Sequence, residues 1–107
     1  MSSPPLHELK QFLLENEFVN VPRSDSYYPT NEVDEGFYLQ FDYETNEHGT
    51  YLYVQLREIM NSKRLDHQWV YSHDFGELVD MLIKHNYAPT IRYHRLRMLN
   101  LLLEDEG

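Results

Sequence analysis

Hydrophobic positions near the start of the chain recur about one helical turn apart, at Leu6, Leu9, Phe12 and Leu13. This spacing predicts a first helix from Pro4 to Asn16, because prolines fit a first helical turn and Ser3 can cap it. Residues 22–36 show no such period, since Pro22 and Pro29 bracket the first part and turn-forming residues alternate with acids from there to Gly36. We therefore expect this segment to be a long acidic loop.

In the middle of the chain the period shortens to two, which is typical of strands with one buried face. Residues 37–44 and 50–58 are rich in aromatic and branched side chains and flank a short segment that contains Gly49. They predict an antiparallel hairpin. The core-facing set would be Phe37, Leu39, Phe41, Tyr43, Leu52, Val54 and Leu56. The opposite face would carry Tyr38, Gln40, Asp42, Tyr51, Tyr53, Gln55 and Arg57.

A third strand is predicted at residues 67–71, after a basic connection at residues 59–66. The pattern leaves two orientations open for this strand. If Val70 faces the core, Trp69 and Tyr71 join the outward tyrosines. In the reverse orientation, these two aromatic rings fill the core beneath the hairpin.

Helical spacing returns in the last third of the chain. Asp74 and Glu77 have the separation of a capping box, and the apolar positions that follow predict a helix ending near Asn86. A final helix is predicted over residues 90–103, with Pro89 limiting its start. Its first half is basic and its end is acidic, which opposes the helix dipole, so we expect the last turn to fray.

These elements predict an α+β fold with an N-terminal helix, a three-stranded antiparallel sheet and two C-terminal helices packed on one face of the sheet. A length of 107 residues fits a single domain. We expect this acidic domain to span residues 1–107, with flexible ends at residues 1–3 and 104–107.

Composition narrows the possible classes of function. Eighteen acids against nine bases give a net charge of −9, which disfavours direct binding to nucleic acid or to an anionic membrane. The chain has no cysteine, so thiolate nucleophiles and cysteine-based metal sites are excluded, and the reducing cytoplasm is the expected location. No apolar run approaches the roughly 20 residues that a membrane-spanning helix needs.

Patterns that would indicate catalysis or metal binding are weak. The six histidines show no ligand spacing on a predicted helix. Ser72, His73 and Asp74 contain the residue types of a hydrolytic triad, but consecutive residues rarely converge on one reacting atom. The four glycines form no phosphate-binding loop. We therefore expect a non-enzymatic protein without a metal or cofactor.

Acidic residues are concentrated in one part of the chain. Residues 23–50 contain seven acids and one base, whereas residues 51–73 contain two acids and three bases. The chain also has nine tyrosines, more than a core of this size easily hides. Tyrosines beside carboxylates suit the basic surface of a protein partner. The candidate partner-binding residues are Asp25, Tyr27, Tyr28, Glu32, Asp34, Glu35, Tyr38, Asp42, Glu44, Glu47, Tyr51 and Tyr53.

The sequence therefore favours a protein-binding regulator or inhibitor that acts through an acidic, tyrosine-rich surface. The most specific form of this hypothesis is a viral, phage-type inhibitor that mimics the charge of DNA and occupies a nucleic-acid-binding enzyme. The alternative is a module that binds a small ligand or nucleic acid on the aromatic face of the sheet. A further alternative is a homodimer, in which the acidic loop of one copy contacts a basic corner of the other. This basic corner consists of Lys84, His85, Arg92, His94, Arg95 and Arg97.

Overall fold

Five strands form one antiparallel sheet and three helices pack on one of its faces, within residues 5–30, 36–47 and 49–106, which the computed structural model describes. The helices are α1 (Leu6–Glu15), α2 (Gly76–Lys84) and α3 (Ala88–Glu106). The strands are β1 (Phe18–Asn20), β2 (Ser26–Pro29), β3 (Phe37–Asn46), β4 (Gly49–Glu58) and β5 (Arg64–Val70). Strand order in the sheet follows chain order from β1 to β5. The predicted α+β class is confirmed.

The core lies between the sheet and the helices, because the strands alternate buried and half-exposed side chains. Along β4 every second residue from Leu52 to Leu56 is buried, and the register pairs these with buried residues of β3 such as Leu39 and Phe41. The predicted core-facing set is confirmed, and Tyr43 lies on the same side opposite Leu52, although it is 39% exposed. The helices supply Leu9, Phe12, Leu13, Leu78, Val79, Met81 and Leu82.

The prediction of three strands is wrong in number, because β1 and β2 extend the sheet. β2 lies inside residues 22–36, the segment expected to be a loop, and places Tyr27 opposite Leu39 of β3. Strands of three and four residues are too short to show a period in the sequence, and Pro29 is tolerated because it ends its strand. Pairing with the long hairpin, rather than their own pattern, makes these segments strands.

The predicted hairpin is confirmed as β3 and β4, and it is longer than expected. Its pairing extends to Asn46 opposite Gly49, so only two residues of the chain separate the last paired positions. Gly49 has a φ of 127°, a backbone conformation that glycine adopts at no steric cost. A tighter turn fixes the register of every pair along the two strands.

β5 resolves the open orientation of the third predicted strand. Val70 is fully buried and lies opposite Leu52, so Trp69 and Tyr71 lie on the other face of the sheet. The strand begins at Arg64, so part of the predicted basic connection belongs to the sheet.

The first helix is shorter than predicted. Pro5 precedes α1 and provides no side-chain hydrogen bond to its first turn, and the predicted cap, Ser3, lies outside the described residues. Leu9 and Leu13 of α1 are fully buried. Burial of its apolar side, rather than capping, therefore stabilises this helix.

The start of α2 differs from the predicted capping box. The residue at its N-terminal boundary is Phe75, which has a left-handed backbone with a φ of 59° and stacks on Phe12 with ring centroids 4.7 Å apart. Asp74 accepts a hydrogen bond from the Gly76 N–H (3.0 Å), while Glu77 accepts bonds from two backbone N–H groups of the preceding loop. Packing of the Phe75 ring therefore governs how the helix begins.

α3 begins at Ala88, so Pro89 lies in its first turn rather than before it. The helix continues to Glu106, beyond the end expected from the sequence. Near its start, Thr90 is fully buried and its hydroxyl donates a hydrogen bond to the side-chain oxygen of Asn16 (2.9 Å). This bond joins α3 to the end of α1.

Candidate functional site

The face of the sheet opposite the helices, here called the outer face, carries aromatic side chains that remain partly exposed to solvent. Tyr51, Tyr53, Trp69 and Tyr71 form a group of rings here called the aromatic cluster. Ring centroids are 4.8 Å apart between Tyr53 and Trp69, and 5.6 Å apart between Tyr51 and Tyr71. Tyr71 is 44% exposed. A connected group of partly exposed rings of this size is typical of an interaction surface.

Carboxylates lie beside the aromatic cluster because of the register between strands. On β3, Asp42 is directly opposite Tyr53, and Glu44 is directly opposite Tyr51. Tyr53 is in turn opposite Trp69 on β5. Directly opposed side chains on one face have Cβ atoms about 5 Å apart. We call these two sets the acidic–aromatic rows: the first contains Asp42, Tyr53 and Trp69, and the second contains Glu44 and Tyr51.

Asp25, directly before β2, extends the negative charge beside Asp42. Its backbone oxygen accepts a hydrogen bond from the Phe41 N–H (3.0 Å), which brings its side chain next to Asp42. Burial raises the pKa of Asp42 above its ordinary value, and the charge and hydrogen bond of Asp25 together with the charge of Glu44 raise it further. Arg57 partly offsets this rise. The three neighbouring carboxylates therefore repel one another, and a bound cation would relieve the repulsion.

The other end of the outer face is basic. Arg64 on β5 donates a hydrogen bond to the Tyr53 hydroxyl (3.3 Å). On β4, Arg57 donates to the side chain of Gln55 (2.7 Å) and to the backbone oxygen of Ser62 (2.6 Å). The outer face thus has an acidic end, an aromatic middle and a basic end.

Several of the residues predicted to bind a partner are brought together by the sheet. Glu47 is exposed in the turn of the hairpin. Three others, Glu32, Asp34 and Glu35, lie outside the described residues. The tyrosines of β2 and β3 on the outer face stack with ring centroids 5.0 Å apart. The predicted residues on the outer face or at its edge are Asp25, Tyr28, Tyr38, Asp42, Glu44, Tyr51 and Tyr53.

Tyr27 does not belong to this surface. Its ring is only 5% exposed and meets Phe41 edge to face, with centroids 5.6 Å apart, because the alternation of β2 turns it towards the helices. Conversely, Trp69 and Tyr71 are functional candidates that the list of predicted binding residues lacked. Their alternation with Val70 was visible in the sequence, but it allowed either orientation.

The predicted basic corner is largely occupied by ion pairs within the molecule. The Asp66 carboxylate lies 2.8 Å from the His85 ring nitrogen and 3.6 Å from the Lys84 ammonium. The other pairs are Arg92 with Glu17 at 2.7 Å and Arg97 with Asp74 at 3.8 Å. These contacts give the basic side chains a structural role at the ends of helices.

The residues that resemble a hydrolytic triad point to different partners. Ser72 donates a hydrogen bond to Glu77, His73 lies 3.6 Å from Glu8, and Asp74 accepts a bond from a backbone N–H. No group of three metal-ligating side chains occurs in the part of the chain that the structure describes. Across the same residues, none of the helices combines the length and apolarity needed to cross a bilayer.

Comparison of the chain with known proteins finds no relative. No protein-family model matches the chain, and neither a curated protein nor a solved structure does. Function is therefore inferred from the outer face itself.

Proposed function

We propose that this protein is a non-enzymatic binding protein that regulates or inhibits a protein partner by holding a basic surface of that partner on the outer face. The acidic–aromatic rows carry the proposal. A carboxylate beside an exposed aromatic ring suits an arginine or lysine side chain, because the ring attracts the cation and the carboxylate accepts charge-assisted hydrogen bonds. Asp42 with Tyr53 forms one such site, and Glu44 with Tyr51 forms a second.

Electrostatics of the acidic end support a cationic partner. Burial, and after it the repulsion from Asp25 and Glu44, raises the pKa of Asp42, so its ionised form is unfavourable in the free protein. A guanidinium or ammonium group placed between Asp42 and Asp25 turns this repulsion into attraction. The net charge of −9 also speeds the approach of a basic surface, most strongly at low salt.

The shape of the outer face supports a macromolecular partner. Its side chains stand on a five-stranded sheet and form an open surface. A groove of about 640 Å³ lies on the helix side, between α1 and the first half of α3. Small ligands favour concave sites, whereas an exposed surface rich in tyrosine and tryptophan fits the hot spots of protein interfaces.

The partner class that fits this chemistry most closely is a nucleic-acid-binding enzyme. Such a protein presents arginine and lysine side chains along the path of the phosphate backbone. Asp25, Asp42 and Glu44 would occupy that path in place of phosphates, while the aromatic cluster supplies apolar contact. The protein would then inhibit the enzyme by keeping nucleic acid out of the enzyme's binding site.

Affinity capture from a lysate of the source organism, or of its host if the chain is viral, tests the proposal. The baits are the wild type, an Asp42→Asn/Glu44→Gln double variant, and a Glu15→Gln/Asp80→Asn control that removes the same charge from exposed helical positions. We expect one protein to be retained by the wild type and the control, and lost with the outer-face variant and at high salt. Equal retention by both variants would contradict the proposal.

A second candidate function, the binding of single-stranded nucleic acid, is favoured by the basic end of the outer face. Arg64 is exposed and lies within hydrogen-bond distance of Tyr53, and Arg57 lies opposite it in the strand register. Aromatic rings next to arginines can stack bases and contact phosphates. Trp69 is the only tryptophan of the chain, so titration with oligonucleotides and detection of its fluorescence tests this candidate directly. An unchanged spectrum at low salt would exclude stacking on the aromatic cluster.

A further inference from the structure

The second half of α3 is leucine-rich, and among the described residues no element covers its outward side. Every residue from His94 to Leu103 is exposed. Four leucines of this segment are between 53% and 62% exposed, and they are here called the leucine stripe: Leu96, Leu99, Leu102 and Leu103. The Cα radius of gyration is 14.5 Å, compared with about 13 Å for a compact domain of this length. The extended helix accounts for part of this difference.

The leucine stripe faces away from the body of the molecule. His94, Arg97 and Leu101 line a groove between α3 and α2, so their side of the helix points towards α2. At 100° per residue, Leu99 lies on the opposite side of the helix, flanked by the other members of the stripe. The spacing of three and then four residues, from Leu96 to Leu99 and from Leu99 to Leu103, matches the contact positions of paired helices.

Charge along α3 is arranged for an antiparallel neighbour with the same sequence. Its first half contains Arg95, together with Arg92, which pairs with Glu17 in the same molecule, and its last turn contains Glu104, Asp105 and Glu106. Within one helix this order opposes the helix dipole. In an antiparallel pair, the basic half of each helix lies beside the acidic end of the other, so an unfavourable order becomes a favourable one.

We propose that two copies of this protein associate through the leucine stripe, with their α3 helices antiparallel and the two-fold axis near Leu99. An isologous interface must be complementary to itself, and α3 satisfies this condition in both apolar pattern and charge. Centring on Leu99 sets Leu96 against Leu102 and Leu103 of the second copy. This dimer does not depend on the proposed function, because it forms through α3 rather than through the outer face.

The available apolar area is in the range that a weak to moderate dimer needs. Each exposed leucine offers on the order of 100 Å² to a partner. The leucine stripes of two copies, with the flanking charged side chains, bring the interface to roughly 1,000–1,200 Å², near the lower limit for specific association. Pairing also stabilises a projecting helix of about 12 residues, which is marginal alone in water.

Sedimentation equilibrium of the full chain over a range of concentrations tests the dimer. We expect the mass to approach twice the 13.0 kDa of the chain, and Leu99→Glu to weaken association by about 100-fold, because it opposes two like charges at the axis. The matched control is Leu14→Glu on α1, where the leucine is 62% exposed. The mass of the Leu14→Glu variant should show the same dependence on concentration as that of the wild type. A monomeric wild type, or a Leu99→Glu variant that still dimerises, would overturn the proposal.

Cross-linking then tests the antiparallel orientation. Because the chain contains no cysteine, a single introduced cysteine reports one position only. Under mild oxidation, Leu99→Cys should form a covalent dimer, and an equimolar mixture of Leu96→Cys and Leu102→Cys should cross-link between the two variants. Efficient self-cross-linking of Leu103→Cys together with Leu96→Cys would indicate parallel helices and contradict the proposed arrangement.

Discussion

Asn16 shows how one buried polar side chain can fix the position of two helices. Its amide nitrogen donates to the backbone oxygen of Phe12 (2.8 Å), and its amide oxygen accepts from Thr90 (2.9 Å). The hydroxyl of Tyr87 donates to the Asn16 backbone oxygen (2.9 Å). Because these groups are buried, they depend on one another for their hydrogen bonds.

Replacing Asn16 by alanine should lower the free energy of unfolding by about 2 kcal/mol, because Thr90 then loses its partner inside the core. The matched control is Asn100→Ala, at an exposed position of α3, which should change stability by less than about 0.5 kcal/mol. Urea unfolding at fixed protein concentration measures both. Equal effects would show that the buried network contributes nothing specific.

The ionised carboxylate of Asp42 is expected to lower the stability of the fold and to strengthen the binding of a basic partner. Since its pKa is raised in the folded state, the ionised carboxylate destabilises the fold at neutral pH, and this cost disappears when pH falls below the ordinary value. Asp42→Asn should therefore raise the free energy of unfolding by about 0.5 kcal/mol at pH 7 and leave it unchanged in acid. The same substitution should weaken capture of a basic partner. A loss of stability at pH 7 would contradict this account.

The roles of individual side chains are the features that the sequence predicts least well. Asn16 was predicted only as the last residue of a helix, because its hydroxyl partners lie more than 70 residues away in the chain. Trp69 posed a similar problem, since alternation identifies two faces without saying which is buried. Such residues acquire their roles from contacts that no local window contains.

At the scale of elements, β5 and the end of α2 are joined by one carboxylate. Burial alone would raise the pKa of Asp66, but hydrogen bonds from His85 and from the His67 backbone, with the nearby charge of Lys84, bring the pKa below its ordinary value. The His85 ring nitrogen lies 2.8 Å from the Asp66 carboxylate. Stability from this contact is present above the ordinary pKa and is lost as pH falls through the lowered one.

Asp66→Asn should lower the free energy of unfolding by about 1 kcal/mol at pH 7, because it removes charge-assisted hydrogen bonds between a strand and a helix end. The difference from the wild type should vanish at acidic pH, where Asp66 itself is neutral. Asp80→Asn, an exposed position on α2, provides the control. Unfolding curves from pH 2 to pH 7 measure the effect, and a difference that persists in acid would refute the role of ionised Asp66.

The sequence predicts long elements better than short ones. The ten-residue strands β3 and β4 show a clear period, because each contributes several side chains to one buried face. β1 and β2 have three and four residues, too few for a period, and they become strands through hydrogen bonds to a neighbour. The start of α2 depends on where the Phe75 ring packs, so the capping-box pattern before it was misleading.

At the scale of the whole molecule, the proposed dimer should make stability depend on concentration. If the leucine stripe is buried only in the dimer, the thermal midpoint of the wild type should rise by a few degrees for each tenfold increase in concentration. Leu99→Glu should remove this dependence. Differential scanning calorimetry at several concentrations measures it, and a midpoint that does not change would argue for a monomer.

Local spacing along the chain was enough to predict the α+β class, the central hairpin, its buried and outward faces, and a helical C-terminal third. These features depend on the periods of helices and strands, which any short stretch of sequence displays. Tertiary structure alone decided that the sheet has five strands, that Tyr27 is buried, and that Trp69 joins the tyrosines on the outer face. Each of these outcomes depends on which distant segment packs against the residue, and burial is a property of that contact rather than of the local pattern.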